Sequence, residues 1–480
     1  MSNQSLTRTL LGGGALAALI ATPALAEQPA APGAVAEIVV TAQKTEERLV
    51  DVPVTVNALR GATLERAHLD APGDLVTQVP NVDVKDNIPG AQAIITVRGV
   101  GLDDFSATNN STVGVYVDDV FLASFAENDF NFYDLDRIEV LKGPQGTLYG
   151  RNSTAGAINV ISAKPSPAGF SGEATLGYGN YDAFEASGFV NIPASPDLAF
   201  RFSGKTDQQG QGYWFSRVLH TDLGRQDNFL GRAQALWKPT DQLVVNFKLE
   251  GEHERSSIGV GKFFGTIPAV AGATCPNFAN PALCTDSHGY TDTTPNPFQG
   301  DWNHAAPYDV DQLNATLHID DDLGWAKLSS VTGYIDFKRG FYIDADAAPT
   351  TDAEFNENDR VHQFSQELRL AGNAHGVRWL VGGYYSWDRV ETNTPGFLTS
   401  LFNTDVLITA DQKTETGAVF GQAEWPLAPR LTLTTGVRYT YEQRSYVGGT
   451  TDTNPTGVSF LCFAVGACAL GAPGPHALSF

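Results

Sequence analysis

The densest candidate for chemistry is the glycine run Gly143, Gly146, Gly150 and Gly156, spaced like a loop that could wrap a phosphate. A phosphate loop needs Gly, four residues, then Gly-Lys-Ser/Thr, and neither Gly143 nor Gly146 is so followed. No G-x-G-x-x-G follows a strand with an acid at the dinucleotide-binding distance. Tight turns pressed against a wall account better for these glycines, because only glycine takes a positive φ without cost. Cys275/Cys284 and Cys462/Cys468 are two close pairs in loop-like sequence. His288 and His304 lie near the first pair but in no standard ligand spacing, which favours a disulfide or free thiols over a metal. There is no H-E-x-x-H and no G-x-S-x-G. The residue types point away from an enzyme, a bound cofactor or a resident metal.

The elements that carry these residues begin with a targeting segment. Arg8, the apolar stretch Leu10 to Ile20 and the small-residue site Ala24-Leu25-Ala26 make residues 1–26 a secretory signal. Beyond it, no apolar run approaches the ~18–20 residues of a transmembrane helix. The 54 acids against 31 bases, a formal charge of −23, exclude the basic surface that nucleic-acid binding needs. Glycine at 48 of 480 residues, 10% aromatics and only 18% charged residues make a β-sheet composition.

Two halves differ in periodicity. Residues 48–165 suggest a small α+β globule. Its strand candidates are Val52–Asn57, Asn81–Lys85, Ala93–Arg98, Val113–Asp118, Arg137–Leu141 and Ala157–Ser162, with helical patterns at Gly61–Leu69 and Gly73–Gln78. Across 166–480 the period becomes two. In Leu431–Tyr441, Leu431, Leu433, Val437, Tyr439 and Tyr441 share one face, with Thr432, Thr434, Arg438 and Thr440 on the other. In Asn228–Lys238, Phe229, Ala233, Ala235 and Trp237 oppose Arg232 and Gln234. Nine further segments alternate in the same way: Ser171–Asn180, Phe184–Ile192, Leu198–Lys205, Leu243–Gly251, Asp309–Asp320, Gly324–Phe337, His362–Ala371, Val377–Trp387 and Thr416–Trp425. Strands of ~9–11 residues suit a tilted bilayer crossing. Tyr178, Trp237, Tyr384, Trp387, Tyr439 and Tyr441 fall where an interfacial belt would need them. Turns near Asn180-Tyr181 and Pro196-Asp197 contrast with the long loop Glu252–Tyr308, as in an antiparallel outer-membrane barrel.

Size relates the halves. A globule of this length is roughly 35 Å across. Eleven strands ~4.8 Å apart and tilted ~40° close to a diameter of only about 22 Å, whereas twenty-two give about 44 Å. Past Tyr441 the glycines and prolines read as loop, and no alternating strand precedes the terminal Phe480. The expectation is a partial barrel and a chain that is a fragment.

Long motifs then carry a resemblance. Glu37-Ile38-Val39-Val40-Thr41-Ala42 resembles the TonB box of TonB-dependent outer-membrane receptors. The run from Asp136 through Asn152 (DRIEVLKGPQGTLYGRN), continued by Ala155–Ile161, closely resembles the signature at the end of their plug domain. Ile95–Gly99 is similar to an earlier plug strand, and Phe364–Leu370 to a barrel segment. The resemblance implies a 22-stranded barrel in the bacterial outer membrane, an N-terminal plug in its lumen, and a flexible segment 27–47 carrying the box. It also implies TonB as partner, with ExbB and ExbD, an embedding shell of outer-membrane lipid, and import of a ferric siderophore or similar iron complex. Cobalamin, haem, an oligosaccharide, or a passive porin are the alternatives.

On this reading the box acts by strand addition to its partner, the alternative being a first strand of the plug itself. By the same resemblance, basic plug residues Arg98 and Lys142 would meet acids of the wall such as Glu367. Ligand contacts would come from an apical loop (Asp103, Asp104, Phe105, Asn109, Asn110) and from Phe263, Phe264 and Trp302 in the long loop, unless these simply pack the loop.

Overall fold

The computed structural model describes residues 38–86, 88, 90–91, 93–102, 104, 106–398 and 404–453, together with the backbone of 477–479. The signal segment, Glu37, Asp103, Phe105 and the Cys462/Cys468 pair lie outside the described residues.

The globule is built on a five-stranded sheet in the order Thr55–Arg60, Leu135–Lys142, Gly156–Ser162, Val113–Val117, Val120–Phe121. A separate ladder pairs Val82–Asp86 with Ala93–Val97. Helix Gly61–Ala67 buries Leu64 and ends where His68 turns left-handed, at φ 49°. The 3-10 turn Pro72–Thr77 follows and buries Leu75. Ile138, Val140, Ile158 and Val160 fill the core between these layers.

The second half is one antiparallel sheet of eleven long strands, Ser171–Gly179, Ala183–Ser195, Leu198–Gln209, Gln226–Trp237, Leu243–Ser257, Pro307–Asp322, Ala326–Asp344, Glu354–Ala374, Val377–Leu398, Thr404–Ala428 and Leu431–Asp452. Each falls on one of the eleven alternating segments. Polarity is inverted relative to a soluble protein. Phe229, Trp237, Val381, Val419, Leu433, Val437, Tyr439 and Tyr441 are exposed, while Arg232, Gln234, Lys248, Gln363, Arg369 and Thr416 are buried. An apolar outer face over a polar inner one is the pattern of a barrel wall against lipid. Among the described residues no helix is long and apolar enough to cross a membrane.

Three expectations need correction. The strands reach 25 residues, not about ten. In Glu354–Ala374 the outward positions are Leu368 and Phe364 at one end but His362, Arg360 and Asn358 further along, so the ladder continues where lipid no longer demands apolar side chains. For the same reason the last long strand runs through Gly448 and Gly449 to Asp452, and Ala477–Ser479 pairs with Gly449–Thr451. Tyr384 faces inward, near Arg438 and Phe420, and its neighbour Tyr385 takes the outer face.

Candidate functional site

The globule sits on the polar face of the sheet. Contacts reach it from Leu198–Gln209 through to Leu431–Asp452, so the sheet curves round it. Connections at one end are short: 196–197, 238–242, 323–325, 375–376 and 429–430. At the other end lie 210–225, 258–306 and 345–353. Short turns mark the periplasmic end of such a barrel and long loops the extracellular end.

An ionic seam joins globule and wall, with signs opposite to those expected. The wall supplies most of the cations: Arg201 to Asp134 (Nε–Oδ2 2.8 Å), Lys205 to Asp70 (3.0 Å), Lys248 to Asp118 (2.6 Å) and Arg369 to Asp119 (3.0 Å). Arg151 reverses the pattern, bonding Asp388 and Glu442 of the sheet. Lys142, expected to face the wall, donates to the Pro80 carbonyl inside the globule at 2.5 Å. Arg98 is exposed at a left-handed turn, φ 53°. Glu367 is buried beside Arg369 of its own strand at 3.4 Å.

Asp118 and Asp119 both take positive φ, 48° and 67°, in the two-residue turn between Val113–Val117 and Val120–Phe121. That geometry favours Asp, Asn or Gly. Burial pushes the Asp118 carboxyl up, but Lys248 and Arg232 outweigh it and bring it down to about 2. Burial acts likewise on Asp119, and Arg369 and Lys44 hold it well below the usual carboxylate range. The cations facing these two carboxylates therefore favour their charged form.

Residues Ile38–Ala42 are docked at the short-turn end. Val39–Val40 pairs antiparallel with Glu47–Arg48, and Val40 is fully buried whereas Val39 is 43% exposed. The Thr41 amide donates to Oε1 of Glu139 at 2.7 Å, and the Tyr149 hydroxyl to the Ala42 carbonyl at 3.1 Å. Glu139 and Tyr149 belong to the long signature motif. Lys44 lies over the rings of Tyr116 and Tyr149 while bonding Asp119 at 3.0 Å. Arg378, at the start of its strand, reaches Glu47 at 3.0 Å. Beside this segment a polar cavity of about 690 Å³ is lined by Thr41, Lys44, Asp119, Lys248, Arg369 and Arg378.

The glycines of the signature serve close approach. Gly150 has φ +82°, and a Cβ there would meet the Arg438 guanidinium at 2.7 Å. On the wall side, a Cβ at Gly333 would strike Val120 of the globule at 2.6 Å.

At the long-loop end, Asn110 accepts from Arg444 at 3.2 Å and Asp104 accepts from the Ser106 amide at 3.0 Å. Asn109 donates its amide to the Ser106 carbonyl in the same turn. Trp302 and Phe263 are buried, and Trp302 donates to the Gly261 carbonyl at 2.7 Å. They form a small core with Leu223, Ala347 and Ala348, so they fold the loop. Phe264 is partly exposed, edge-on to Phe278 at 4.8 Å. Cys275 and Cys284 are joined as a disulfide within this loop.

Glu127 is a buried acid of the globule with one oxygen on the Ser124 amide (3.0 Å) and Oε1 unpartnered. Burial pushes its carboxyl up from 4.5 to about 8, the Ser124 amide offsetting only part. The unfolded chain therefore releases this proton at lower pH than the folded one. The contribution to stability is largest below about 4.5 and declines as pH rises towards about 8. Glu127→Gln should flatten that decline, whose limiting slope is about 1.4 kcal/mol per pH unit. Thermal midpoints of both proteins in detergent between about pH 5 and about pH 9 check it.

A lipid-facing antiparallel barrel sheet enclosing an N-terminal globule, pinned by ion pairs, defines a plugged outer-membrane receptor. Two family models match: "TonB-dependent Receptor Plug Domain" over residues 48–157 and "TonB dependent receptor-like, beta-barrel" over 256–461. The chain belongs to the TonB-dependent receptors of the outer membrane. It is 24% identical to the pesticin receptor of Yersinia pestis over 88% of this chain and 58% of that one. It is 26% identical to the vitamin B12 transporter BtuB of Vibrio vulnificus over 42% of this chain and 34% of that one. The fold matches the ferric yersiniabactin uptake receptor FyuA from Yersinia pestis with a TM-score of 0.67 at 19% identity, covering 84% of this chain and 58% of FyuA. The chain thus spans little more than half the length of the pesticin receptor.

Proposed function

We propose that the protein takes part in energy-coupled import across the outer membrane, with a ferric siderophore or similar iron complex as cargo rather than as a bound cofactor. Cargo docks at the long-loop end, over the plug apex at Asp104 and Asn110. TonB, powered through ExbB and ExbD, engages the segment Glu37–Ala42 from the other end. The observation that carries this reading is the docking of Ile38–Ala42 at the short-turn end, opposite the loops. An extended segment held by a two-residue ladder can exchange that ladder for the edge of a partner's sheet. Its tie to Glu139 would pass the pull directly to Leu135–Lys142, an interior strand of the plug sheet. The relative named a vitamin B12 transporter makes a cobalamin the second cargo to test.

Uptake of labelled ferric siderophore, and separately of labelled cobalamin, should require TonB. Val39 faces Arg48 as a non-hydrogen-bonded pair, so Val39→Pro removes an N–H directed away from the internal ladder, at a partly exposed position where an incoming strand would need it. It should abolish uptake while leaving cargo binding to cells unchanged. Equal uptake without TonB would mean passive passage, and loss of binding in the variant would return the segment to a purely architectural role.

A further inference from the structure

We propose that the long-loop end carries a divalent-cation site of the calcium type, formed by Asp344, Asp346 and Glu354. These residues flank the connection between strands Ala326–Asp344 and Glu354–Ala374, and one carboxylate oxygen from each lies within 4.8 Å of the others. Two oxygens on opposite sides of one Ca²⁺ at about 2.4 Å are separated by the same span.

A second observation points to a ligand. Asp344 is only 8% exposed, and its buried Oδ2 has no hydrogen-bond partner. Its Oδ1 accepts from the Ala347 amide at 2.7 Å. The other two acids are oriented by the chain around them. Asp346 accepts from the amides of Ala348, Asp352 and Ala353 at 2.9, 2.7 and 2.6 Å. Glu354, 2% exposed, accepts from Asn303 Nδ2 at 2.6 Å and from the Tyr342 hydroxyl. The side-chain Oδ1 of Asn303 is also buried without a partner.

Among the described residues no Lys or Arg forms an ion pair with any of the three acids. His304 is not ion-paired to the three acids; it stacks on Tyr342 with ring centroids 3.3 Å apart. His288 is engaged by Asp352 at 2.9 Å. Three clustered carboxylates without a counter-ion repel one another and must be protonated or metal-bound. An all-oxygen set suits Ca²⁺. Zinc prefers nitrogen and sulfur, and Mg²⁺ keeps most of its waters.

The site would also act as a clasp. Asn303 bonds both Thr351 (3.2 Å) and Glu354, and His288 bonds Asp352, so the long loop is tied to the hairpin tip that the cation would order.

Terbium luminescence on the full chain in detergent tests this, with Tyr342 as sensitiser and Ca²⁺ as competitor. Saturable emission, displaced by Ca²⁺ and weakened at least about tenfold in Asp344→Asn and in Asp346→Asn, is expected. Asp411→Asn, at an acid engaged by Arg389, should bind like the parent. Should Asp344→Asn fail to fold, Glu354→Gln and a Ca²⁺-dependent rise in the parent's thermal midpoint serve instead. Absence of saturable emission, or equal affinity in all these proteins, would overturn the proposal.

Discussion

Replacing Asp119 by alanine should destabilise the seating of the plug by about 3–5 kcal/mol. The carboxylate is shared by Lys44 and Arg369, whose side chains are 1% and 5% exposed. Removing it leaves the buried Lys44 without the carboxylate it bonds and Arg369 with Glu367 alone, and under-paired buried charge is what makes a broken pair expensive. The loss should also reach the docked segment, because Lys44 follows it by two residues and closes its turn onto Thr41 at 2.8 Å. Amide exchange should accelerate over Val39–Arg48 and Val113–Phe121, while the outer strands of the sheet stay protected. Asp119→Asn, which keeps an acceptor but no charge, should fall between. Unchanged exchange in Asp119→Ala would mean that Lys44 and Arg369 find other acceptors and that the seam is not cooperative.

Trp302→Ala should cost the long loop about 3–5 kcal/mol, the usual penalty for emptying a buried aromatic site. Trp302 is 1% exposed, and its ring is the largest in a core otherwise made of Leu223, Phe263, Ala347 and Ala348. Its indole N–H also satisfies the Gly261 carbonyl. The disulfide keeps residues 275–284 closed, so unfolding should be confined to the segments on either side of it. Limited trypsin digestion should cut at Lys262 in the variant and spare the parent, with the sheet intact in both. If digestion patterns coincide, the loop is held by the Arg217 pairs to Asp292 and Asp301 instead.

Much of the architecture was legible because a bilayer imposes a strict rule on a strand. Every second residue must be apolar, as Phe229 to Trp237 and Leu431 to Tyr441 show, and the parity that placed Arg232 and Gln234 inward is the one observed. The rule lapses outside the lipid, which is why strand ends such as Glu354–Val361 were invisible to it. Pair chemistry across the lumen was not legible, since parity says that Lys248 and Arg369 point inward but not at what. A local sign for two of their partners did exist. Asp118-Asp119, adjacent acids between two short apolar runs, is a hairpin signal, and a hairpin tip is where a globule touches its container. Trp302 misled for the opposite reason: an aromatic in a long polar loop looks like a ligand contact until the loop proves to have its own interior.

The inverted seam has one more effect. Were the globule to shift, Asp70, Asp118, Asp119 and Asp134 would travel with it, leaving Lys205, Lys248, Arg369 and Arg201 on the wall. Arg151 would leave Asp388 and Glu442 behind, and Lys205, Lys248 and Arg369 would keep Glu185, Glu250 and Glu367 of the wall beside them, so the vacated conduit would present paired charges of both signs to a passing solute.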